Sequence, residues 1–257
     1  MGFKDHFSKQ AVDYAKFRPR YPREMFEFLG TITPSRRLAW DCATGNGQAA
    51  VELASAFDRV IATDASEKQI ANAEPHERVE YRVVPAEENG LPPNNFDLVM
   101  VAQALHWLSH DRFFPEVRRV LKNNGVFAAS AYNHMQTDSP IDKIIKHYYY
   151  EIVGPYWPPE RALIEEFQKI PFPFPECQTP KFEIAAEWNL EHLKGYLSSW
   201  SSTQRFIAAT NRNPLDQIVR ALENAWGDPQ RTKRIVWPLV VRVGLKKPSE
   251  SQPPNDA

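Results

Sequence analysis

The chain has 257 residues, a formal net charge of −1, 42% hydrophobic residues and 25% charged residues. This composition is typical of a soluble globular protein, and the length allows one large domain or a core with a sizeable insertion. The near-neutral charge gives no reason to expect DNA, RNA or an acidic membrane surface as a partner.

The cysteines and the N-terminal residues narrow the class of protein further. Cys42 and Cys177 lie far apart and form no CxxC pair, so neither a metal site nor a disulfide framework is expected. The first residues, MGFKDHFSKQ, lack the apolar core of a signal peptide. No apolar run is long enough to cross a bilayer. The sequence therefore predicts a reduced, cytoplasmic protein without a membrane partner.

The first half of the chain alternates between helix-like and strand-like segments. A helical pattern around residues 7–17 is followed by a second helix, PREMFEFLG, with Gly30 as its expected end. Five strand-like runs then alternate with helical ones. These runs are RRLAWDC, RVIATD, VEYRVVP, FDLVMVAQ and VFAASAY, the last one following an expected break at NNG.

Five strands separated by helices, with short loops, predict a parallel sheet that is covered by helices on both faces. Right-handed crossovers place the carboxyl ends of such strands on one edge of the sheet, where ligands bind. Asp41, Asp64, residues 85–87 and Gln103 would meet at that edge.

The pattern changes after the fifth strand. Residues 134–180 are mostly helical and aromatic, and we expect them to form a lid over the ligand edge. KFEIAAEWN and RIVWPLVVRVGLKK add two strands, which gives an α/β fold with a seven-stranded, mostly parallel sheet and a helical insertion. The predicted layout is a single domain over residues 1–246, followed by a disordered tail at 247–257. The domain consists of a core at about 36–133, the insertion at about 134–180, and C-terminal helices and closing strands at 181–246.

The stretch DCATGNGQAA, between the first strand and its helix, has the layout of a nucleotide-binding loop. A nicotinamide fingerprint reads G-x-G-x-x-G, whereas this loop reads A-T-G-N-G-Q, with Gln48 at the sixth position. Asp41 would repel a pyrophosphate, but it suits the ammonium and sulfonium groups of S-adenosylmethionine. Asp64 suits either ligand, because both carry a ribose diol.

The runs WDCATGNGQAA, VIATDAS, VVPAEENGLPPNNFDLVMVAQALHWL and VRRVLKNNGVFAA resemble, in order and spacing, the core of class I S-adenosylmethionine-dependent methyltransferases. They are most similar to the small-molecule group that contains the trans-aconitate methyltransferases and the type 11 methyltransferase domain. The flanking YAKFRPRYP, LKGYLSSWSSTQRF and WPLVVRVGLKK resemble the same group. The resemblance implies a Rossmann-like fold and S-adenosylmethionine as the cofactor.

The resemblance also implies which residues hold the cofactor. They are Tyr14, Arg18, Asp41, Ala43, Gly45, Gly47, Asp64, Ala65, Ala86, Glu87, Gln103 and Ala104. Asp41 and the two glycines would lie under the methionine part, Asp64 would hold the ribose hydroxyls, and Arg18 would lie near the cofactor carboxylate.

Two positions depart from the pattern of this family. Glycine is usual where Ala43 stands, and we expect a small-residue position there without a positive φ. An acid that holds the adenine amino group is frequent where Pro85 stands. Adenine recognition would therefore depend on backbone groups or on Glu87.

Residues after the fourth strand and in the later helices are candidates for the acceptor site. His106 and Trp107 would line it, with His106 as a candidate base. The aromatic residues Tyr149, Trp157 and Trp200 could enclose the acceptor. Arg205 ranks first among the cations that could bind a carboxylate, ahead of Lys143, Lys146, His147 and Arg161, which fit solvated helix faces.

The sequence thus predicts an enzyme that transfers a methyl group from S-adenosylmethionine to a small-molecule acceptor, a carboxylate or an aromatic metabolite, by in-line displacement. It lacks the Asn/Asp-Pro-Pro-aromatic run of amino-methylating nucleic-acid enzymes, so no nucleic-acid partner is expected. A monomer or a homodimer fits equally well. Two alternatives stay open at this point, an NAD(P)-dependent oxidoreductase and a non-catalytic S-adenosylmethionine-binding protein.

Overall fold

Seven β-strands form one sheet in the part of the chain that this computed structural model describes, residues 17–247. The strands are β1 Leu38–Cys42, β2 Arg59–Asp64, β3 Val79–Val83, β4 Phe96–Ala102, β5 Leu121–Tyr132, β6 Phe182–Trp188 and β7 Lys233–Leu245. Their order is β3-β2-β1-β4-β5-β7-β6. β1 to β5 pair in parallel, and β7 runs antiparallel to β5 and β6. The predicted α/β fold with a mostly parallel seven-stranded sheet is confirmed.

Helices cover both faces of this sheet. They are α1 Arg23–Ile32, α2 Gln48–Ala56, α3 Glu67–Ala71, α4 His110–Val120, α5 Ser139–His147, α6 Ala162–Glu165, α7 Leu190–Ser198, α8 Ser201–Thr210 and α9 Val219–Trp226. Successive residues of a strand point to opposite faces, so each central strand contributes to two cores. In β4, Leu98 and Met100 pack with α1, α2 and α7, whereas Val99 and Val101 pack with α4.

Two boundaries differ from the sequence predictions. α1 continues past Gly30 to Ile32. Gly30 is a packing position, because a Cβ there would lie 3.2 Å from Cβ of Ala56 at the end of α2. NNG does not precede the fifth strand but lies inside β5, where Asn124 has a φ of +62° and the register against β4 shifts. The segment is therefore an irregularity within the strand, not a break before it.

The insertion between β5 and β6 is fastened to the sheet at its C-terminal part. Arg242 of β7 is buried, and its guanidinium forms a bidentate ion pair with Glu176, with N···O distances of 2.6 and 2.8 Å. Its remaining nitrogen donates to the carbonyl oxygens of Phe167 and Ile170 at 2.9 and 2.7 Å. The contacts with the ligand edge therefore come from the earlier part of the insertion, residues 148–164.

A buried carboxylate sets the start of β1 against β4. Asp97 of β4 accepts hydrogen bonds from the backbone N–H groups of Arg37 and Leu38 at 3.1 and 3.0 Å, and its other oxygen lies 2.7 Å from Nζ of Lys122. Asp97 is only 3% exposed, so water cannot replace these partners. This residue therefore helps to fix the position of β1, and with it the loop that follows β1.

We expect Asp97→Ala to lower the free energy of unfolding by about 2–4 kcal/mol, because the N–H groups of Arg37 and Leu38 and the ammonium of Lys122 lose a buried acceptor. Chemical denaturation followed by circular dichroism measures the effect. Asp58→Ala, a change of the same kind at an exposed position, serves as the control and should alter stability by less than about 0.5 kcal/mol. Equal stabilities for the two variants would contradict the anchoring role of Asp97.

Candidate active site

The loop between β1 and α2 turns sharply through three left-handed residues. Ala43, Gly45 and Gly47 have φ values of +55°, +58° and +85°. Thr44 N–H donates to the carbonyl oxygen of Thr63 at 2.9 Å, which holds the loop against the end of β2. The loop begins at Asp41 of β1 and ends at Gly47, the N-cap of α2. A ligand against this loop would therefore meet backbone at Gly45, where a Cβ would have open space.

The prediction of an ordinary φ at Ala43 is wrong. The loop needs the left-handed conformation at alternate positions 43, 45 and 47, and residue 43 is the first of them. An L-residue with a Cβ adopts this conformation at a cost of about 1 kcal/mol. The small side chain of Ala43 packs against the core cluster on the α4 face. The surrounding loop thus imposes a strained conformation on this residue.

Asp41 is completely buried at the end of β1, and one of its oxygens has no hydrogen-bond partner in the protein. Its other oxygen accepts from the hydroxyl of Thr44 at 2.5 Å. Burial raises the pKa of the Asp41 carboxyl to about 7, the nearby Asp64 carboxylate acts in the same direction, and the Thr44 hydrogen bond opposes them. A buried carboxylate with an open lone pair is a site for a cationic group.

Asp64 stands at the end of β2, next to Ala65, and accepts two backbone hydrogen bonds. Gly45 N–H donates to one carboxylate oxygen at 2.9 Å, and Ser66 N–H donates to the other at 2.8 Å. A carboxylate has about four acceptor positions, so it can still accept from a diol. The bond from Gly45 also ties the loop after β1 to the end of β2. Asp64 is therefore fixed in place before any ligand binds.

Pro85, Ala86 and Glu87 follow β3 at the same edge. Ala86 is buried and begins a short 3-10 helix over Ala86–Glu88. One carboxylate oxygen of Glu87 accepts from the N–H of Ser109 at 2.9 Å, at the N-terminus of α4. Glu87 therefore caps a helix, and it has its other oxygen left for a ligand.

Gln103 and Ala104 follow β4, and the Gln103 side chain is held by the next strand. Its amide nitrogen donates to the Tyr132 carbonyl oxygen at 2.9 Å, and its amide oxygen accepts from Tyr132 N–H at 2.7 Å. Gln103 has a φ of +55°, and Ala104 is buried. The Gln103 side chain thus extends the hydrogen bonding between β4 and β5 beyond the end of β4, and the backbone turns there.

A cavity of about 70 Å³ opens beside Gln103. Its walls come from the turn after β4, the insertion, α7 and α8. The lining residues are Arg18, Gln103, His106, Trp107, Trp157, Arg161, Ile164, Tyr196, Trp200 and Ser201. Two guanidinium groups and several aromatic rings face this space, while the lining contains no carboxylate among the described residues. The cavity brings together four of the residues that the sequence predicts for the site of the methyl acceptor: His106, Trp107, Trp157 and Trp200.

Arg161 lines the cavity, although the sequence interpretation ranked it below Arg205. It ends the 3-10 turn Pro159–Arg161, and its guanidinium lies 5.6 Å from the ring centre of Tyr149 and 5.1 Å from that of Trp157. One of its nitrogens donates to the side-chain oxygen of Asn133 at 2.6 Å. The two prolines before it, Pro158 and Pro159, are the sequence signal for a stiff turn that a solvated helix face would not need.

The other predicted acceptor residues take different places. Tyr149 is buried behind the lining, with its ring 4.9 Å from that of Trp157 and 5.7 Å from that of Trp200. It supports the cavity wall, and burial raises its pKa to about 12. Arg205 lies in α8 but does not line the cavity within the described chain. Arg161, and not Arg205, is the cation from these helical regions that lines the cavity.

Arg18 and the segment after it cross the ligand edge. The Arg18 guanidinium lies 5.3 Å from the ring centre of Tyr196 and donates to the Ser199 carbonyl oxygen at 3.4 Å. Two residues later, Arg20 pairs with Glu74 at 2.9 Å. Arg18 thus lines the cavity, and its place near the cofactor carboxylate stays a prediction. Tyr14, the other residue predicted from this segment, lies outside the described residues.

His106 is buried, with 4% of its surface exposed, and its ring lies 4.6 Å from that of Trp107. Its Nδ1 has no hydrogen-bond partner. Burial lowers the pKa of His106 to about 3, and the charges of Arg161 and His110 act in the same direction. The imidazole is therefore neutral in the ligand-free protein.

Comparisons with known proteins agree with this geometry. Residues 40–129 match the family model described as a methyltransferase domain. A Dictyostelium discoideum protein named as a methyltransferase is 36% identical over 87% of both chains. A solved structure from Anaeromyxobacter dehalogenans, named as a type II methyltransferase, is 43% identical, covers 91% of this chain and 100% of its own, and has a TM-score of 0.85.

The chain belongs to the class I S-adenosylmethionine-dependent methyltransferases. It is an enzyme of this class, not the nicotinamide oxidoreductase left open by the sheet pattern, and S-adenosylmethionine is its cofactor. The residues present fit this cofactor. Asp41 offers a buried, unpartnered oxygen to an ammonium group. Gly45 has open space where a Cβ would project, which leaves room for a ligand against the loop.

Within residues 17–247, no helix combines the length and the apolar character that a membrane span requires.

Ala43→Gly should raise the free energy of unfolding by about 1 kcal/mol, because glycine adopts a φ of +55° without strain. Chemical denaturation measures this gain. The control is Ala208→Gly, a change at an exposed position inside α8, which should lower stability by about 1 kcal/mol. A loss of stability in both variants would mean that the loop does not strain Ala43.

Asp41 should make cofactor binding depend on pH. Its pKa of about 7 lies above the value in an unfolded chain, so the folded, ligand-free protein retains a proton that the unfolded chain has lost. Stability of the ligand-free protein should therefore be highest at acid pH and fall as the pH rises from about 4 to 7. An ammonium group favours the ionised carboxylate, so binding of S-adenosylhomocysteine should strengthen about tenfold from pH 6 to pH 8.

Calorimetry in buffers of different ionisation enthalpy counts the proton that is released on binding. Asp41→Asn should bind more weakly and lose this pH dependence, whereas Asp58→Asn, at an exposed position, should retain it. The same pH profile in Asp41→Asn and the unmodified protein would rule out Asp41 as its source.

Proposed function

We propose that this methyltransferase modifies a small molecule that combines a flat, apolar body with an anionic group. The observation that carries this proposal is the lining of the cavity. Trp107, Trp157 and Trp200 supply three indole rings, and Arg161 supplies a guanidinium held at their side. A lining of aromatic rings with a few polar groups suits one small ligand that those polar groups orient.

The charges of the lining support an anionic acceptor. Arg18 and Arg161 both face the cavity, and no Asp or Glu is found among the described residues that line it. A carboxylate can form bidentate hydrogen bonds with a guanidinium, and these bonds are strong where water is excluded. A carboxylate or an aromatic metabolite therefore fits the site, and a carboxylate on an aromatic body fits both features.

S-Adenosylmethionine supplies a methyl group on a positively charged sulfur, which a nucleophilic atom can displace in line. The protein's own part is to bind and orient the reactants. Asp41 and the backbone of Gly45 would hold the amino-acid end of the cofactor, and Asp64 its ribose. The rings of Trp157 and Trp200 would fix the acceptor and exclude water, which lowers the entropic cost of the in-line arrangement.

The experiment is a labelled-methyl screen on an extract separated into small molecules and macromolecules. The expected result is transfer of labelled methyl to one or a few small molecules that bind to an anion exchanger. Asp64→Ala provides the inactive control. Label found only in protein or nucleic acid would contradict a small-molecule acceptor.

Trp157→Ala tests the cavity itself. It should raise KM for the acceptor found in the screen by at least about tenfold, because a large apolar contact is lost. Its affinity for S-adenosylhomocysteine should remain within about twofold of the unmodified protein, since no cofactor role is expected for Trp157. An unchanged KM would place the acceptor elsewhere.

A further inference from the structure

Two residues that line the cavity each have a buried polar atom without a partner, and they lie on different elements. One is Nη1 of Arg161, at the end of the turn Pro159–Arg161 in the insertion. The other is Nδ1 of His106, in the turn Leu105–Trp107 after β4. Both residues line the same cavity. A buried polar atom without a partner costs about 1–3 kcal/mol, so both groups are expected to gain partners when the acceptor binds.

Arg161 is a fixed cation in this cavity. Its Nη2 donates to Asn133 at 2.6 Å, and its guanidinium contacts the faces of Tyr149 and Trp157. Three partners on two different segments hold the side chain in one orientation, so little conformational entropy remains to be lost on binding. The remaining nitrogen therefore presents a preorganised donor to an anion.

The anion that binds to Arg161 is not a good nucleophile. A carboxylate loses its negative charge when it is methylated, so its ion pair with a guanidinium is stronger before the reaction than in the transition state. An interaction of that kind slows the chemical step, because only contacts that strengthen toward the transition state accelerate it. The atom that receives the methyl group should therefore be a different part of the acceptor.

His106 is the group in the cavity that suits such an atom. It is neutral, and two guanidinium groups line the same cavity, Arg161 from the insertion and Arg18, while His110 of α4 lies in its electrostatic environment. An anion bound to Arg161 would offset the positive charge and make His106 a better proton acceptor.

We propose that Arg161 binds an anionic group of the acceptor that is not methylated, and that His106 accepts the proton of a separate hydroxyl or amino group, which is the methylated one. This inference rests on the proposed function and deepens it. In the reaction, the acceptor oxygen or nitrogen forms a bond to the methyl carbon as the bond between that carbon and sulfur breaks, with its electron pair remaining on the sulfur. The O–H or N–H proton passes to His106. The product is a methyl ether or methylamine that keeps its acidic group, not a methyl ester.

The first arm of the test measures binding, with S-adenosylhomocysteine bound to the protein. Benzoate and its neutral isostere benzamide are the probes, and calorimetry is the readout. Benzoate should bind at least about tenfold more tightly than benzamide, and Arg161→Met should abolish this preference. Arg212→Met, at an exposed position outside the cavity, should keep it. Equal affinities for the two probes, or no binding of benzoate, would overturn the role of Arg161.

The same complexes report on His106 through NMR of protein labelled at histidine, with the signal assigned from His106→Gln. Benzoate should raise the pKa of His106 by about one unit or more, and benzamide should leave it unchanged. The rise should disappear in Arg161→Met. A His106 signal that titrates identically with and without benzoate would show that the two residues are not coupled through the anion.

The second arm examines the product of the labelled-methyl screen. Mild alkali releases methanol from methyl esters but leaves methyl ethers and methylamines intact. Label that resists alkali is expected, whereas volatile label would overturn the proposal. His106→Gln should lower kcat by about 100-fold or more, lose the acidic limb of the pH–rate profile and retain its affinity for S-adenosylhomocysteine. If no small molecule is methylated, the proposed function fails, and the binding arm still decides on Arg161 and His106.

Discussion

The chain must leave β1 and enter α2 within five residues, and the arrangement of the ligand edge depends on this turn. Ala43, Gly45 and Gly47 all take left-handed φ values there. The turn places the N–H of Gly45 on Asp64, and so joins the ends of β1 and β2. It also leaves Asp41 fully buried beneath the loop, with one oxygen without a partner. The strain at Ala43 and the buried acid are both consequences of one sharp reversal.

A buried acid of this kind is unfavourable for the ligand-free protein. Desolvation disfavours its charged form, whereas a cation that binds to the open oxygen would stabilise that form. Tyr81 limits the loop from the other side, because a Cβ at Gly47 would collide with its hydroxyl group. That hydroxyl donates to the carbonyl oxygen of Glu74 at 2.6 Å. The loop is thus held from β2 and β3 in a form that suits a cationic ligand before the ligand arrives.

The sheet and the loop after β1 could be predicted from the sequence, because both follow from local patterns. Apolar runs that end in Asp41 and Asp64 identify buried parallel strands, and the strand ends then share one edge. The conformation of Ala43 could not be predicted in this way. Whether a small residue has a positive φ depends on how tightly the chain must turn, and this is set by the distance between β1 and α2 in the folded protein.

The acceptor side was less predictable, since it combines segments that are far apart in the chain. Arg205 and Arg161 both have aromatic neighbours in the sequence, and the two prolines before Arg161 are the local signal that separates them. The distinction comes from tertiary contacts: Asn133 at the end of β5 holds Arg161 in place, and Arg242 ties the rest of the insertion to β7. The insertion is thereby fixed where its earlier part reaches the turn after β4.

The candidate site therefore combines residues from two parts of the molecule, the sheet with its loops and the insertion. The sheet and its loops carry Asp41 and Asp64 at the strand ends and His106 in the cavity wall. The insertion carries Trp157 and Arg161, which line the same cavity. Residues of the insertion can therefore change to suit another acceptor while the loop after β1 keeps its geometry. His106 follows a strand of the sheet, whereas Arg161, which belongs to its electrostatic environment, comes from the insertion. A change of acceptor charge would therefore also alter the proton affinity of His106.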